Sequence, residues 1–153
     1  MNAPVHPVRR GLSVAPLGDS AVWDAYVAGH PQATPFHSRA WCEAITKATG
    51  HRRHVLAARD AAGAIVGLLP LHHIRSPLFG QAFVASGFAV DGGLLADNEA
   101  AADVLADAAV KLAGSLGVPS VELRGRPLPE GEGWRCEEGV YAGFARDLAA
   151  DDE

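Results

Sequence analysis

The sequence predicts an α/β protein: a mixed sheet with helices on both faces. Three observations carry that expectation. The chain has 153 residues, 48% of them hydrophobic and 20% charged, enough to bury one domain core. The runs His54–Arg59 and Ala64–Ile74 flank the turn Asp60-Ala61-Ala62-Gly63 and read as an antiparallel hairpin. A long amphipathic stretch, Asn98–Leu116, is followed after a short loop by the apolar-charged run Val121–Arg124. Strand, helix and strand in that order form a crossover that pairs in parallel and is right-handed.

The elements follow in order. The Pro-rich residues 1–9 read as a flexible lead-in, and Arg10–Leu17 as a first strand. Asp19 or Ser20 can cap a helix with Val22, Trp23, Tyr26 and Val27 on one face, ended by Gly29, Pro31 and Pro35. Ser38 is the expected N-cap of a second helix running to Thr49, with Trp41, Ile45 and Ala48 as its apolar stripe. Glu43 and Lys47 stand four apart, acid first, the favourable order for a helical ion pair. Gly50 suits the left-handed residue after the helix. Within the hairpin, Pro70 cannot donate to a ladder, so it marks an edge or a bulge. Ala82–Ala85 and Phe88–Val90 offer further strand before the turn Asp91-Gly92-Gly93. In the long helix, Val104, Leu105, Ala108, Ala109, Leu112, Ala113 and Leu116 form the apolar stripe. Asp103, Asp107, Lys111 and Ser115 lie opposite, between the cap Asn98 and Gly117. A Gly/Pro/Glu loop, Gly125–Gly133, leads to an extended piece, Trp134–Cys136, and a last strand, Val140–Leu148. Residues 150–153 are an acidic tail, so the domain spans 10–149.

Composition narrows the function. No run of about 18 uncharged apolar residues is present, so no membrane insertion by a helix is expected. The N-terminus lacks an apolar core of the secretory type, which points to a cytoplasmic protein. The formal charge is −5, with no Lys/Arg run longer than a pair, so no direct nucleic-acid binding is expected. Cys42 and Cys136 are too few for a disulfide scaffold, and neither stands in a C-x-x-C spacing. His51-Arg52-Arg53-His54 and His72-His73 alternate across a strand, so they read as strand residues and no metal site is expected. Cys42 reads as a small buried hydrophobe. Glu122 and Arg124 share a strand face and suit an ion pair with a neighbouring strand. No nucleophile elbow or triad is visible, and no catalytic residue can be named.

Two places admit a functional reading beside a structural one. His37 and Ser38 are a loop histidine and a helix cap, or His37, Arg39 and Trp41 form the lip of an acceptor cleft. In that cleft Arg39 would hold an anionic group and Trp41 would stack. Ser86, Asp91, Gly92 and Gly93 form a turn, or a backbone surface that a ligand approaches closely.

The chain resembles the FemAB-like proteins. The resemblance rests on Thr34-Pro35-Phe36-His37-Ser38 with Trp41, on Gly67-Leu68-Leu69-Pro70-Leu71 continued by Ile74-Arg75-Ser76 and Leu78-Phe79-Gly80, on Asp91-Gly92-Gly93 and on Val121-Glu122-Leu123-Arg124. It covers Leu12 to Leu148 and is strongest to the exosortase (PEP-CTERM)-associated and exopolysaccharide-linked members. It implies the GNAT (acyl-CoA N-acyltransferase) fold, present twice in a full-length member, and transfer of an acyl or aminoacyl group to an amine in cell-envelope or exopolysaccharide metabolism. Acyl-CoA or aminoacyl-tRNA would be the donor and a small-molecule or peptide/glycan-precursor the acceptor. On this resemblance the chain is the first of two halves, incomplete for catalysis alone, with a C-terminal GNAT half or a homo-oligomer as partner. It lacks the Arg/Gln-x-x-Gly-x-Gly/Ala loop with which a GNAT domain holds pyrophosphate at a helix N-terminus. Asp97 and Glu99 stand there instead and would repel phosphate, so no cofactor is expected to bind this domain alone. A non-catalytic binding or scaffold module and a stand-alone N-acetyltransferase are the alternatives.

Overall fold

The computed structural model describes residues 11–18, 20–125, 127–129, 133–140, 144 and 146. Strand β1 (Ser13–Pro16) leads into helix α1 (Ser20–Gly29), a 3-10 turn (Pro35–His37) and α2 (Arg39–Thr49). Strands β2 (Arg52–Arg59), β3 (Ile65–Ser76) and β4 (Gly80–Ala85) follow. Then come β5 (Leu95–Ala96), α3 (Glu99–Ser115) and β6 (Val121–Glu122). One sheet runs β1-β2-β3-β4-β6, with β5 also on β3. All neighbours are antiparallel except β4 and β6, which pair in parallel across α3.

The helices cover both faces, as the two apolar clusters show. On one face Phe83, Leu69, Leu71 and Leu105 are 0% exposed and α3 packs down through Ala101, Ala109 and Ala113. On the other, Trp23 of α1 and Cys42 of α2 close over Val55, Leu68 and Leu95. Burying each large side chain contributes about 1.5–3 kcal/mol, so these layers dominate the fold. Gly67 lets α3 come close: a Cβ there would stand 2.8 Å from Leu105 Cδ1.

Several expectations shift. The buried stripe of α3 is displaced toward its N-terminal half: Asp103 is buried and Leu116 is exposed. Glu43 pairs with Arg39 at 3.1 Å and Arg53 at 3.3 Å rather than with Lys47. Phe88–Val90 forms no strand; Phe88 adopts φ 65°, which no strand tolerates. The strand after α3 is only Val121–Glu122, and just beyond it Gly93 abuts the Arg124 backbone. Trp134–Cys136 joins no ladder, and Val140 is exposed in a bend. Of the rest of the expected last strand, Phe144 and Arg146 are exposed and in no strand; its other residues, the residues 1–9, the tail 150–153 and the cap at Asp19 lie outside the described residues.

Pro70 lies in an interior strand, opposite Val55. The Val55 carbonyl accepts from Leu17 N at 2.8 Å, so Val55 presents its polar groups to β1 and Pro70 turns its own away from β2. On that far side β4 pairing ends at Leu71↔Ala85 and β5 pairing begins at Leu68↔Leu95. The missing N–H thus faces a gap in the ladder, and the Pro70 carbonyl accepts from Ser86 N at 3.1 Å. The edge that a proline demands is a local one, inside the sheet.

Candidate functional site

Residues 86–94 leave the sheet where β4 ends and re-enter it as β5. This excursion meets the 3-10 turn and β6. Ser86 Oγ lies 3.0 Å from the Phe36 carbonyl and also against the Gly92 carbonyl. A Cβ on Gly92 (φ 96°) would stand 2.5 Å from Ser86 Oγ and 2.7 Å from Phe36 Cβ. Gly93 abuts the Arg124 backbone, and an Arg124 guanidinium nitrogen donates to the Ala89 carbonyl at 2.6 Å. Both Ser86 (φ 44°) and Phe88 (φ 65°) are held in a left-handed conformation that side chains disfavour. A stretch so constrained is built to hold a shape.

Two buried histidines support it. His72 is 0% exposed; its Nδ1 accepts from Gly87 N at 3.1 Å, and its Nε2–H donates to the Cys42 carbonyl at 3.4 Å. It therefore ties α2 to the excursion as a neutral ring, and burial holds its pKa below the usual imidazole value. His37 is 4% exposed, and its Nδ1 accepts from Thr34 N at 3.0 Å. Its proton consequently sits on Nε2, which has no partner among the described residues. Burial lowers its pKa too, with His30 adding to the effect and Thr34 and Asp91 opposing it. His37 is thus a neutral ring with its N–H buried and its other nitrogen already accepting from Thr34, so it offers no lone pair for proton abstraction. Trp23 Nε1 donates to the His37 carbonyl at 2.8 Å and fixes the turn on α1.

The remaining expected site residues separate into groups. Ser38 is the α2 cap: its hydroxyl oxygen accepts from Trp41 N at 3.2 Å. Trp41 is half-buried and packs edge-on to Phe36, with centroids 4.9 Å apart. Asp91 is exposed beside Gly92, and Gly92 and Gly93 are buried. Arg39 donates to Asp24 at 3.0 Å and to Glu43 at 3.1 Å. Two exposed carboxylates already engage its guanidinium. Glu122 and Arg124 pair with each other at 2.7 Å rather than with a neighbouring strand. Sequence reasoning missed Phe36 and Arg124 as the contacts of the excursion. The only signal was their place inside the resemblance motifs.

The start of α3 is the place where a GNAT-type pyrophosphate would sit. Asn98 Oδ1 accepts from Ala101 N at 2.9 Å, using one free amide of the helix. Asp97 accepts from Tyr26 OH at 2.8 Å and lies 3.6 Å from His30 Nε2. Tyr26, His30 and Asp97 line a cleft of about 610 Å³ between α1 and β5. With Asp97 and Glu99 at its mouth, this helix end does not fit a pyrophosphate. Among the described residues no group of three or more His, Cys, Asp or Glu could hold a metal ion, and no helix is long and apolar enough to cross a membrane.

No protein-family model and no curated protein matches the chain. Among solved structures it is similar to a GNAT family acetyltransferase from Staphylococcus aureus, with TM-score 0.52, 13% identity, 90% of this chain and 99% of that chain covered. A Trypanosoma brucei acetyltransferase gives TM-score 0.49 and 17% identity over the same shares. The chain therefore has the GNAT fold.

Proposed function

We propose that the chain is a FemAB-type GNAT domain that forms the acceptor side of an acyl or aminoacyl transferase, the donor being held outside it. One observation carries this reading: four segments distant in sequence converge at a single junction. Phe36 of the 3-10 turn, Pro70 of β3, the Ser86–Gly93 excursion and Arg124 after β6 are joined there by the contacts of Ser86, Gly92 and Gly93. These are the same segments that carry the FemAB resemblance. Beside them His37 keeps a neutral ring whose Nε2–H is buried and has no partner among the described residues. In the reaction class, the acceptor amine forms a bond to the donor carbonyl carbon. The bond from that carbon to the thiol or ribose oxygen breaks, and the amine proton leaves to solvent or a base. The acidic start of α3 argues that the donor's phosphates rest elsewhere, as in a second GNAT half.

The test is calorimetric titration with acetyl-CoA, with acyl transfer to an amine panel followed in parallel. The chain alone should show neither saturable binding nor turnover, and activity should appear on mixing with a C-terminal FemAB-type half. Robust acetyl-CoA turnover by the chain alone would establish the second reading, a self-sufficient N-acetyltransferase. That reading draws on the extent of the likeness to the Staphylococcus enzyme.

A further inference from the structure

We propose that the cleft beyond the C-terminal end of α3 binds a phosphate-bearing anion, bracketed by Arg52 and Arg75 with His54 and His73 behind them. The cleft measures about 780 Å³ and is walled by the start of β2, the β3–β4 hairpin and Leu116. None of its lining residues is a carboxylate. The chain as a whole has 18 Asp and Glu against 13 Lys and Arg, so a wall of this kind is not its average surface.

Sheet register explains the cluster. Arg52 stands opposite His73, and Arg75 opposite Gln81, so all four lie on the α3 face. Arg52 and Arg75 are diagonal neighbours, roughly 7–8 Å apart along the backbone. The β3–β4 ladder continues to Ser76↔Gly80, beyond the last β2 pair, and α3 has already ended, which opens the face. Phe83 floors it: His54 and His73 each pack with ring centroids 5.1 Å from Phe83.

Two further features favour an anion. Arg39, Arg53, Arg124 and Arg135 each meet a carboxylate; Arg52 and Arg75 meet none among the described residues, and neither does Arg59, which donates to the Gly63 carbonyl at 2.8 Å. Placing two cations diagonally on one face costs repulsion that an anion between them removes. His54 Nε2 is buried and has no partner among the described residues, so a third nitrogen lacks its hydrogen bond. His73 is already oriented: Gln81 gives its amide N–H to the Gly117 carbonyl at 2.9 Å and accepts from His73 Nε2 at 2.9 Å.

Between the lining residues Pro77 and Gly80 the hairpin tip displays Leu78 and Phe79, 80% and 86% exposed. The phosphate can therefore come from a soluble phosphate ester or from an anionic lipid headgroup beneath an inserted tip. The site lies at the opposite end of β4 from the Ser86 excursion, so it stands or falls separately from the acyltransferase reading.

The experiment titrates the chain with inorganic pyrophosphate and, in parallel, sediments it with phosphatidylglycerol or phosphatidylcholine vesicles. Pyrophosphate should bind saturably and shift the His54 and His73 ring resonances. The double variant Arg52→Gln/Arg75→Gln should weaken binding at least about tenfold, while Arg59→Gln, which removes a charge at the far end of β2, should not. Binding to phosphatidylglycerol alone, lost in that double variant and in Leu78→Ser/Phe79→Ser, supports the proposal with lipid as the source. The proposal is overturned if neither probe binds, or if Arg59→Gln weakens binding as much as the double variant does.

Discussion

Replacing Gly92 with alanine tests whether the Phe36–Ser86–Gly92 junction holds the site together. Two costs add. The residue sits at φ 96°, where an L side chain pays about 1–2 kcal/mol. Its new methyl would also stand 2.5 Å from Ser86 Oγ and 2.7 Å from Phe36 Cβ, inside van der Waals contact. Overpacking of this kind costs roughly 1–3 kcal/mol. A loss near 3 kcal/mol is about a third of the stability of an ordinary domain and lowers Tm by roughly 6–12 °C at this length. Gly114→Ala is the internal control. It lies in α3, with no atom within 4 Å of its new methyl, and should gain about 0.5–1 kcal/mol from helix propensity. Differential scanning calorimetry of both variants reads the two signs. If Gly92→Ala melts within about 1 °C of the unaltered chain, the close-packed junction is not present in solution.

Acid should destabilise the protein earlier than carboxylate protonation would. His37, His54 and His72 are each held below the usual imidazole value, chiefly by burial. Below about pH 6.5 the unfolded chain binds protons that the folded chain refuses. Stability is therefore full above that pH and falls as pH drops from there toward the folded values. The buried His37 and His72 each contribute a slope of up to about 1.4 kcal/mol per pH unit, and the half-buried His54 less. Urea denaturation at pH 7.5 and 5.5 measures this, and equal stabilities would contradict it. The cysteines should separate cleanly as well. Cys42 is 0% exposed, and burial pushes its thiol up to about 12, while Cys136 is exposed. Ellman's reagent at pH 8 should titrate Cys136 in the folded chain and Cys42 only after denaturation. Rapid reaction of both would show that α2 does not seal against the sheet.

Periodic elements were legible because burial imposes the period. Ser38 and Gly50 bound α2 as expected, and Asn98 caps α3, since each performs a local task that its own chemistry announces. The hairpin was legible from the Asp60–Gly63 turn for the same reason, Asp60 Oδ1 accepting from Ala62 N and Ala64 N at 2.9 Å, though not the register shift between Ala58 and Arg59. What failed depended on partners far along the chain. Asp103 looks solvent-facing by spacing, yet tertiary contact decides its burial. Phe88–Val90 has strand composition, but the excursion that carries it is pinned by Phe36 and Arg124, residues 50 positions back from Ser86 and 35 on from Ala89. Likewise nothing local reveals that Asp24 of α1 and Glu43 both reach Arg39.

Pro70 shows how a local misfit can locate a site. A proline in an interior strand leaves one ladder position without a donor, so the neighbouring strand must break there. That break is where β4 yields to the Ser86–Leu94 excursion and β5 resumes the ladder. Beyond the Ser86 N to Pro70 carbonyl bond the excursion forms no ladder with β3, and His72, Phe36 and Arg124 hold it instead. Charge then divides the molecule along α3. Asp97 and Glu99 at its start complement the helix dipole and repel anions, while Arg52 and Arg75 stand beyond its other end, where the dipole also favours cations. Helix stability and ligand sign are thus set by the same arrangement. Neutralising the first pair with Asp97→Asn and Glu99→Gln should weaken α3 by about 0.3–1 kcal/mol per charge, and pyrophosphate binding gained at that end would show that the carboxylates alone exclude it.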